Sequence, residues 1–111
     1  MQADGIMGMA PSTRGWGDAL FVKELYHHGL IDQNMFAFNI PANKVSIGAY
    51  SQNYNVVWHQ NKDDYLWAVP LNQLSYGSKI KIPSKAKTTR KAFVDTGVSV
   101  SMVGQGDLDY I

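Results

Sequence analysis

The spacing of hydrophobic and polar positions changes period twice along the chain. Near the N-terminus, Ile6 to Met9 form a short apolar run fenced by Gly5 and Gly8 and closed by Pro11 and a Ser/Thr/Gly-rich stretch. That pattern predicts a short strand, and glycines inside a strand suggest close backbone approach. The period then becomes helical. Val22, Leu25 and Tyr26 lie one turn apart, so a helix is expected over 18–28, with Asp18 as its N-cap and Gly29 as a left-handed C-cap. After Gly29 the period is two. "MFAFNI" (35–40) and "KVSIGAY" (44–50) flank Pro41-Ala42-Asn43 and read as a hairpin with a three-residue connection. "YNVVWHQ" (54–60), "YLWAVPLNQLSY" (65–76), "KIKIP" (79–83) and "KAFVD" (91–95) are rich in β-branched and aromatic residues and predict further strands. Pro70 cannot donate to a ladder and is expected at an edge or a bulge. The final "GQGDLDYI" (104–111) predicts a helix start capped by Asp107. The expected fold class is mostly β with one helix.

Composition adds little that is specific. At 111 residues, 45% hydrophobic and net charge +1, the chain has the make-up of an ordinary globular protein. Its balance gives no reason to expect nucleic acid as a partner, and no apolar run reaches the length of a membrane span. The one basic stretch, Lys79 to Lys91, reads as a solvated loop. With no cysteine, neither a disulfide nor a thiolate metal site can form. The N-terminal residues show no secretory signal.

Most candidate chemistry falls away. His27 and His28 are adjacent, so on a helix they point about 100° apart and cannot chelate one metal. His59 stands alone. Asp63-Asp64 reads as a solvated turn, because neighbouring residues face different ways. The early glycines lack the Gly-Lys-Ser/Thr of a phosphate loop. No cofactor and no metal is expected. What remains is Asp95-Thr96-Gly97, which interrupts an apolar run. It is either an ordinary turn or a strand end that delivers a carboxylate to a cleft.

Four segments in order resemble the pepsin-like aspartic proteases. "DGIMGMAP" (4–11) is similar to that family's Asp-Gly-Ile-Leu-Gly-Leu segment. "FVKELYHHGLIDQNMFAFNI" (21–40) is similar to its helix, Gly-Leu-Ile turn and Phe-containing strand. "VSIGAYSQNY" (45–54) resembles the strand that closes the N-terminal lobe, with Gly-Ala-Tyr in place of the family's Gly-Gly-x-Asp. "AFVDTGVS" (92–99) resembles the second active-site motif, an apolar run before Asp-Thr-Gly-Thr/Ser-Ser. The resemblance implies part of a bilobal acid-protease β-barrel fold. Residues 1–52 would be the end of the N-terminal lobe and 53–111 the first part of the C-terminal lobe.

The implied activity is that of an acid endopeptidase. Two aspartates, one per lobe, activate a water that attacks the peptide carbonyl. This family is the usual illustration of like-charged carboxylates sharing one proton. By resemblance Asp95 is the second of them, Thr96 ties the two active-site loops together, and Gly97 lets substrate and backbone come close. The partner would be a peptide or protein cut between apolar residues, and the family suggests a secreted, lysosomal or vacuolar setting.

Three departures qualify this. Val98 stands where the family usually has Ser or Thr, and a valine cannot donate to the aspartate; Thr96, Gly97, Val98 and Ser99 would form the active-site loop. "SKAKTTRK" (84–91) lacks the usual cysteine pair. Ile6-Met7-Gly8 resembles the hydrophobic-hydrophobic-Gly segment that completes the first lobe's ψ-shaped loop, while the first Asp-Thr-Gly would lie before residue 1 and the partner segment of Asp95 beyond Ile111. The chain is therefore expected to be an internal fragment, inactive alone, that needs the missing lobe segments or another chain to complete the site. A homodimeric protease of retroviral type has its motif before its glycine segment, the reverse of the order here. The competing expectation is a catalytically silent β-rich binding or structural module on the same scaffold.

Overall fold

The computed structural model describes residues 4–12, 19–77, 80–83 and 90–109. They form three two-stranded antiparallel sheets and two short helices, a partial β-rich pepsin-like fold with no closed barrel among the described residues. The chain divides into two units, Met1–Trp58 and His59–Ile111.

In the first unit, helix α1 spans Phe21–His27 and buries Val22. It starts later than the pattern predicts, with Leu20 at the N-cap and no side-chain cap; Asp18 lies outside the described residues. Its end matches the expectation. Gly29 (φ 66) donates to the Tyr26 carbonyl at 3.0 Å and Leu30 to the Leu25 carbonyl at 2.9 Å, a Schellman closure that a left-handed glycine makes without Cβ strain.

Strands β1 (Phe36–Asn39) and β2 (Lys44–Ile47) form the expected hairpin, with Phe36 opposite Ile47 and Phe38 opposite Val45. The rings of Phe36 and Phe38 meet edge-on at 5.8 Å, because residues two apart share a strand face. The connection has four residues and not three. Ile40 leaves the ladder to accept from the Asn43 N–H (3.0 Å), the Asn39 side chain accepts from the Ala42 N–H (3.1 Å), and Asn43 takes φ 50, which asparagine tolerates. β2 stops at Ile47 because Gly48 turns to φ 80.

Two predicted strands do not form. Ile6 to Met9 and the 54–60 segment are not strands in the structure, and β-propensity alone does not make a strand. Ile6 is fully exposed and a Cβ at Gly5 or Gly8 would meet nothing, so the close backbone approach expected there is not found. The 50–58 segment instead uses its side chains. Tyr50 and Trp58 pack edge to face at 5.6 Å, and the Tyr54 hydroxyl accepts from the Asn39 amide at 2.8 Å.

In the second unit the long 65–76 run splits at Asn72. Strand β3 (Ala68–Leu71) pairs with β6 (Arg90–Phe93), and β4 (Gln73–Tyr76) with β5 (Ile80–Pro83). Ala68, 1% exposed, has β6 on one side and the 61–62 segment on the other. Its N–H donates to the Asn61 side chain (2.8 Å) and its carbonyl accepts from the Lys62 N–H (2.9 Å). Val94 N–H donates to the Trp67 carbonyl at 2.8 Å, and alternation from that pair places Pro70, opposite Lys91, in a non-hydrogen-bonded position where its missing N–H leaves the ladder intact.

Helix α2 (Gln105–Leu108) forms where a helix start is expected, but Gly104 is its N-cap and Asp107 caps nothing. That carboxylate is drawn away by an arginine.

Candidate active site

Asp95 lies two residues beyond the end of β6. The ladder ends at Val94, the chain turns at Thr96-Gly97, and the Gly97 N–H donates to Asp95 Oδ1 at 2.7 Å. An aspartate that accepts from the N–H two residues on closes an Asx-turn. The carboxylate is thus fixed by its own loop while the residue stays exposed. Gly97 is not in the left-handed region, so its value here is space: a Cβ would come 3.1 Å from Asp95 Oδ1. Thr96 and Ser99 are exposed, and Val98 is 39% exposed.

Asp95, Val98 and Ser99 line an open groove of about 590 Å³ together with Phe93, Arg90 and Asp107. Ile6, Met7 and Gly8 belong to the first unit, where Ile6 and Met7 present their side chains to solvent.

β6 is anchored on both faces. Arg90 and Lys91 are consecutive on a strand and so point to opposite sides. Arg90 makes a forked pair with Asp107, Nη1 to Oδ1 (3.1 Å) and Nη2 to Oδ2, and Asp107 is the buried charged residue among those described. Lys91 Nζ reaches Asp63 Oδ2 at 3.2 Å. The end of the basic stretch is therefore ion-paired and not simply solvated; residues 84–89 lie outside the described residues.

Asp63 likewise departs from a solvated turn. Its Oδ1 accepts from the Tyr65 and Leu66 N–H groups at 3.0 and 3.1 Å, and the Asn61 amide donates to its carbonyl at 2.7 Å. The Tyr65 N–H above all, then the Lys91 ammonium, hold the Asp63 carboxyl below its ordinary range. The long-range supports, Asp107 on Arg90 and Asp63 on Lys91, could not be found by local pattern. The available signal was an arginine and a lysine just before the Asp-Thr-Gly, with unpaired carboxylates at 63 and 107 to receive them.

Among the described residues no three His, Asp or Glu side chains stand close enough to hold a metal ion, and no helix is long and apolar enough to cross a membrane. The model of the family described as eukaryotic aspartyl protease matches residues 1–111. No curated protein and no solved structure matches the chain.

Proposed function

The chain belongs to the eukaryotic aspartyl protease family, and from that membership we propose that Asp95 is one of the two carboxylates that activate water for peptide hydrolysis. The observation that carries this reading is the Asx-turn. It holds one oxygen of Asp95 with a backbone N–H and leaves the carboxylate at the solvent-facing end of β6, where a second carboxylate and a peptide carbonyl have room to approach. Two carboxylates at close range cannot both ionise, so one serves as base and the other as acid. Thr96 would tie the two active-site loops, and Gly97 keeps the approach to Asp95 clear. The substrates are peptides cut between apolar residues in an acidic compartment.

These 111 residues contain one Asp-Thr-Gly, so acting by themselves they lack the second member of the dyad and are inactive. Residues 1–52 and 53–111 are read as the end of one lobe and the start of the next. A second reading, a catalytically silent binding module, draws on Val98, which offers no proton to the carboxylate.

The test is cleavage of an unfolded protein substrate across about pH 2 to 7, the range in which carboxylate dyads work. It is run with the 111-residue chain and with a longer chain carrying both Asp-Thr-Gly motifs, each beside its Asp95→Asn counterpart. Cleavage is expected only from the longer chain and only with Asp95 intact. If Asp95→Asn left that cleavage unchanged, the silent-module reading would stand. Cleavage by the 111-residue chain that Asp95→Asn abolished would show that two copies assemble a dyad.

A further inference from the structure

Between the end of β6 and the start of α2, residues 94–104 form an extended loop that carries Asp95. Burial does not hold it in place: Val94 is 59% exposed, Val100 67% and Met102 79%. Its internal tie is the Gly97 N–H to Asp95 contact. Yet the two elements that flank it, β6 and α2, are joined. Arg90, at the first position of β6, grips Asp107 in α2 through both oxygens, across 17 residues of chain. The pair is largely withdrawn from water, with side-chain exposures of 28% and 12%. A forked guanidinium-carboxylate contact fixes orientation as well as distance, which a point charge would not.

We propose that Arg90 and Asp107 are positioning residues for Asp95: their ion pair closes the 94–104 loop and keeps the Asp95 carboxylate in its Asx-turn. The inference rests on reading Asp95 as the catalytic carboxylate. On the opposite face of β6, Lys91 and Asp63 hold the strand against the 61–66 segment, so the strand is fixed from one side and the loop from the other. Neither Arg90 nor Asp107 touches the reacting atoms in this role. They act through loop shape.

A backbone N–H bonded to a carboxylate resonates downfield, and the described residues supply one in the loop and a reference outside it. Gly97 N–H donates to Asp95, and Tyr65 N–H donates to Asp63 by the same chemistry. The experiment compares both amide proton shifts by NMR near neutral pH in the 111-residue chain and in Asp107→Asn, Arg90→Lys and the exchanged double variant Arg90→Asp with Asp107→Arg. Loss of the fork is expected to cut the downfield displacement of Gly97 about twofold or more while Tyr65 keeps its own, and the exchanged pair is expected to restore Gly97. An unchanged Gly97 in both single variants would overturn the proposal. So would the joint loss of both signals, which would make the pair a determinant of the fold and not of the loop. Arg90→Lys retains charge and bulk and keeps the comparison open where Asp107→Asn does not fold. Since the readout contains no proteolysis, a failure of the catalytic reading of Asp95 would appear in the cleavage assay and not here.

Discussion

Gly48 concentrates two constraints in one residue, so Gly48→Ala makes a demanding test. The glycine sits at φ 80, and a Cβ placed there would lie 2.7 Å from Ile31 Cβ and 3.0 Å from Ile31 Cγ2. A side-chain end could rotate away, but a Cβ is fixed to its backbone, so relief requires the 31–34 bend or the end of β2 to move. The end of β2 is itself held, because Gly48 N–H donates to the Met35 carbonyl at 2.8 Å. Left-handed backbone costs an alanine about 1–2 kcal/mol. Overpacking against a fixed neighbour adds about 1–3 kcal/mol. The stiffer unfolded chain returns ~0.4–1 kcal/mol. The expected net loss thus lies between about 1 and 4.5 kcal/mol. Urea unfolding followed by tryptophan fluorescence reads it, since Trp58 packs on Tyr50 in the same unit. In an Ile31→Gly background the Cβ contact is gone, and only the backbone cost less the unfolded-chain return, about 0–1.6 kcal/mol, should remain. A loss under about 0.5 kcal/mol, the scale of an ordinary surface change, would refute the argument. Equal losses in both backgrounds would refute its steric half.

Two further outcomes are expected. Asp63 has its carboxyl held below the ordinary value of about 3.9, so the stability it contributes is present above that value and is lost as pH falls through the lower folded one. Asp63→Asn should therefore be less stable than the parent chain above about pH 4 and converge with it in stronger acid, as read from urea midpoints against pH; parallel curves would argue against the Tyr65 and Lys91 contacts. Gly97→Ala brings a methyl to 3.1 Å from Asp95 Oδ1, so it should displace the carboxylate and shift its amide proton resonance upfield, with lower cleavage in a longer chain that carries both motifs. An unchanged resonance would mean that the loop has room the structure does not show.

Local pattern found what local interactions determine. The helix with its Gly29 ending and the β1–β2 hairpin depend on residues a few positions apart, and so does the Asp-Thr-Gly turn, whose acceptor and donor are two residues apart. The failures share one cause. Val56, Val57 and Trp58 have strand-forming side chains, but a strand exists only in a ladder, and nothing in that segment specifies a partner. Asp107 stands where an N-cap would suit a helix start, yet an arginine 17 residues upstream offers its carboxylate two charge-assisted bonds, a stronger claim than capping. Asp63 is in part the same case, since Lys91 reaches it from 28 residues away, while its Tyr65 and Leu66 contacts are local. The candidate carboxylate was thus legible in sequence, while the groups that hold it were not.

The nested pairing of the second unit also has a kinetic side. β4 and β5 are joined through Gly77, at φ 60, and face each other as near neighbours, with Tyr76 opposite Ile80. β3 and β6 enclose them, with Ala68 opposite Phe93. Closing the outer pair directly would span 25 residues of chain, whereas the inner hairpin, which forms in about 1–10 μs, brings Leu71 and Arg90 toward each other first. Assembly outward from the inner turn would bring the β3–β6 rungs together after the inner pairing, and with them the strand end that carries Asp95. A residue exchange that weakens the inner hairpin would then slow the appearance of the site without touching it.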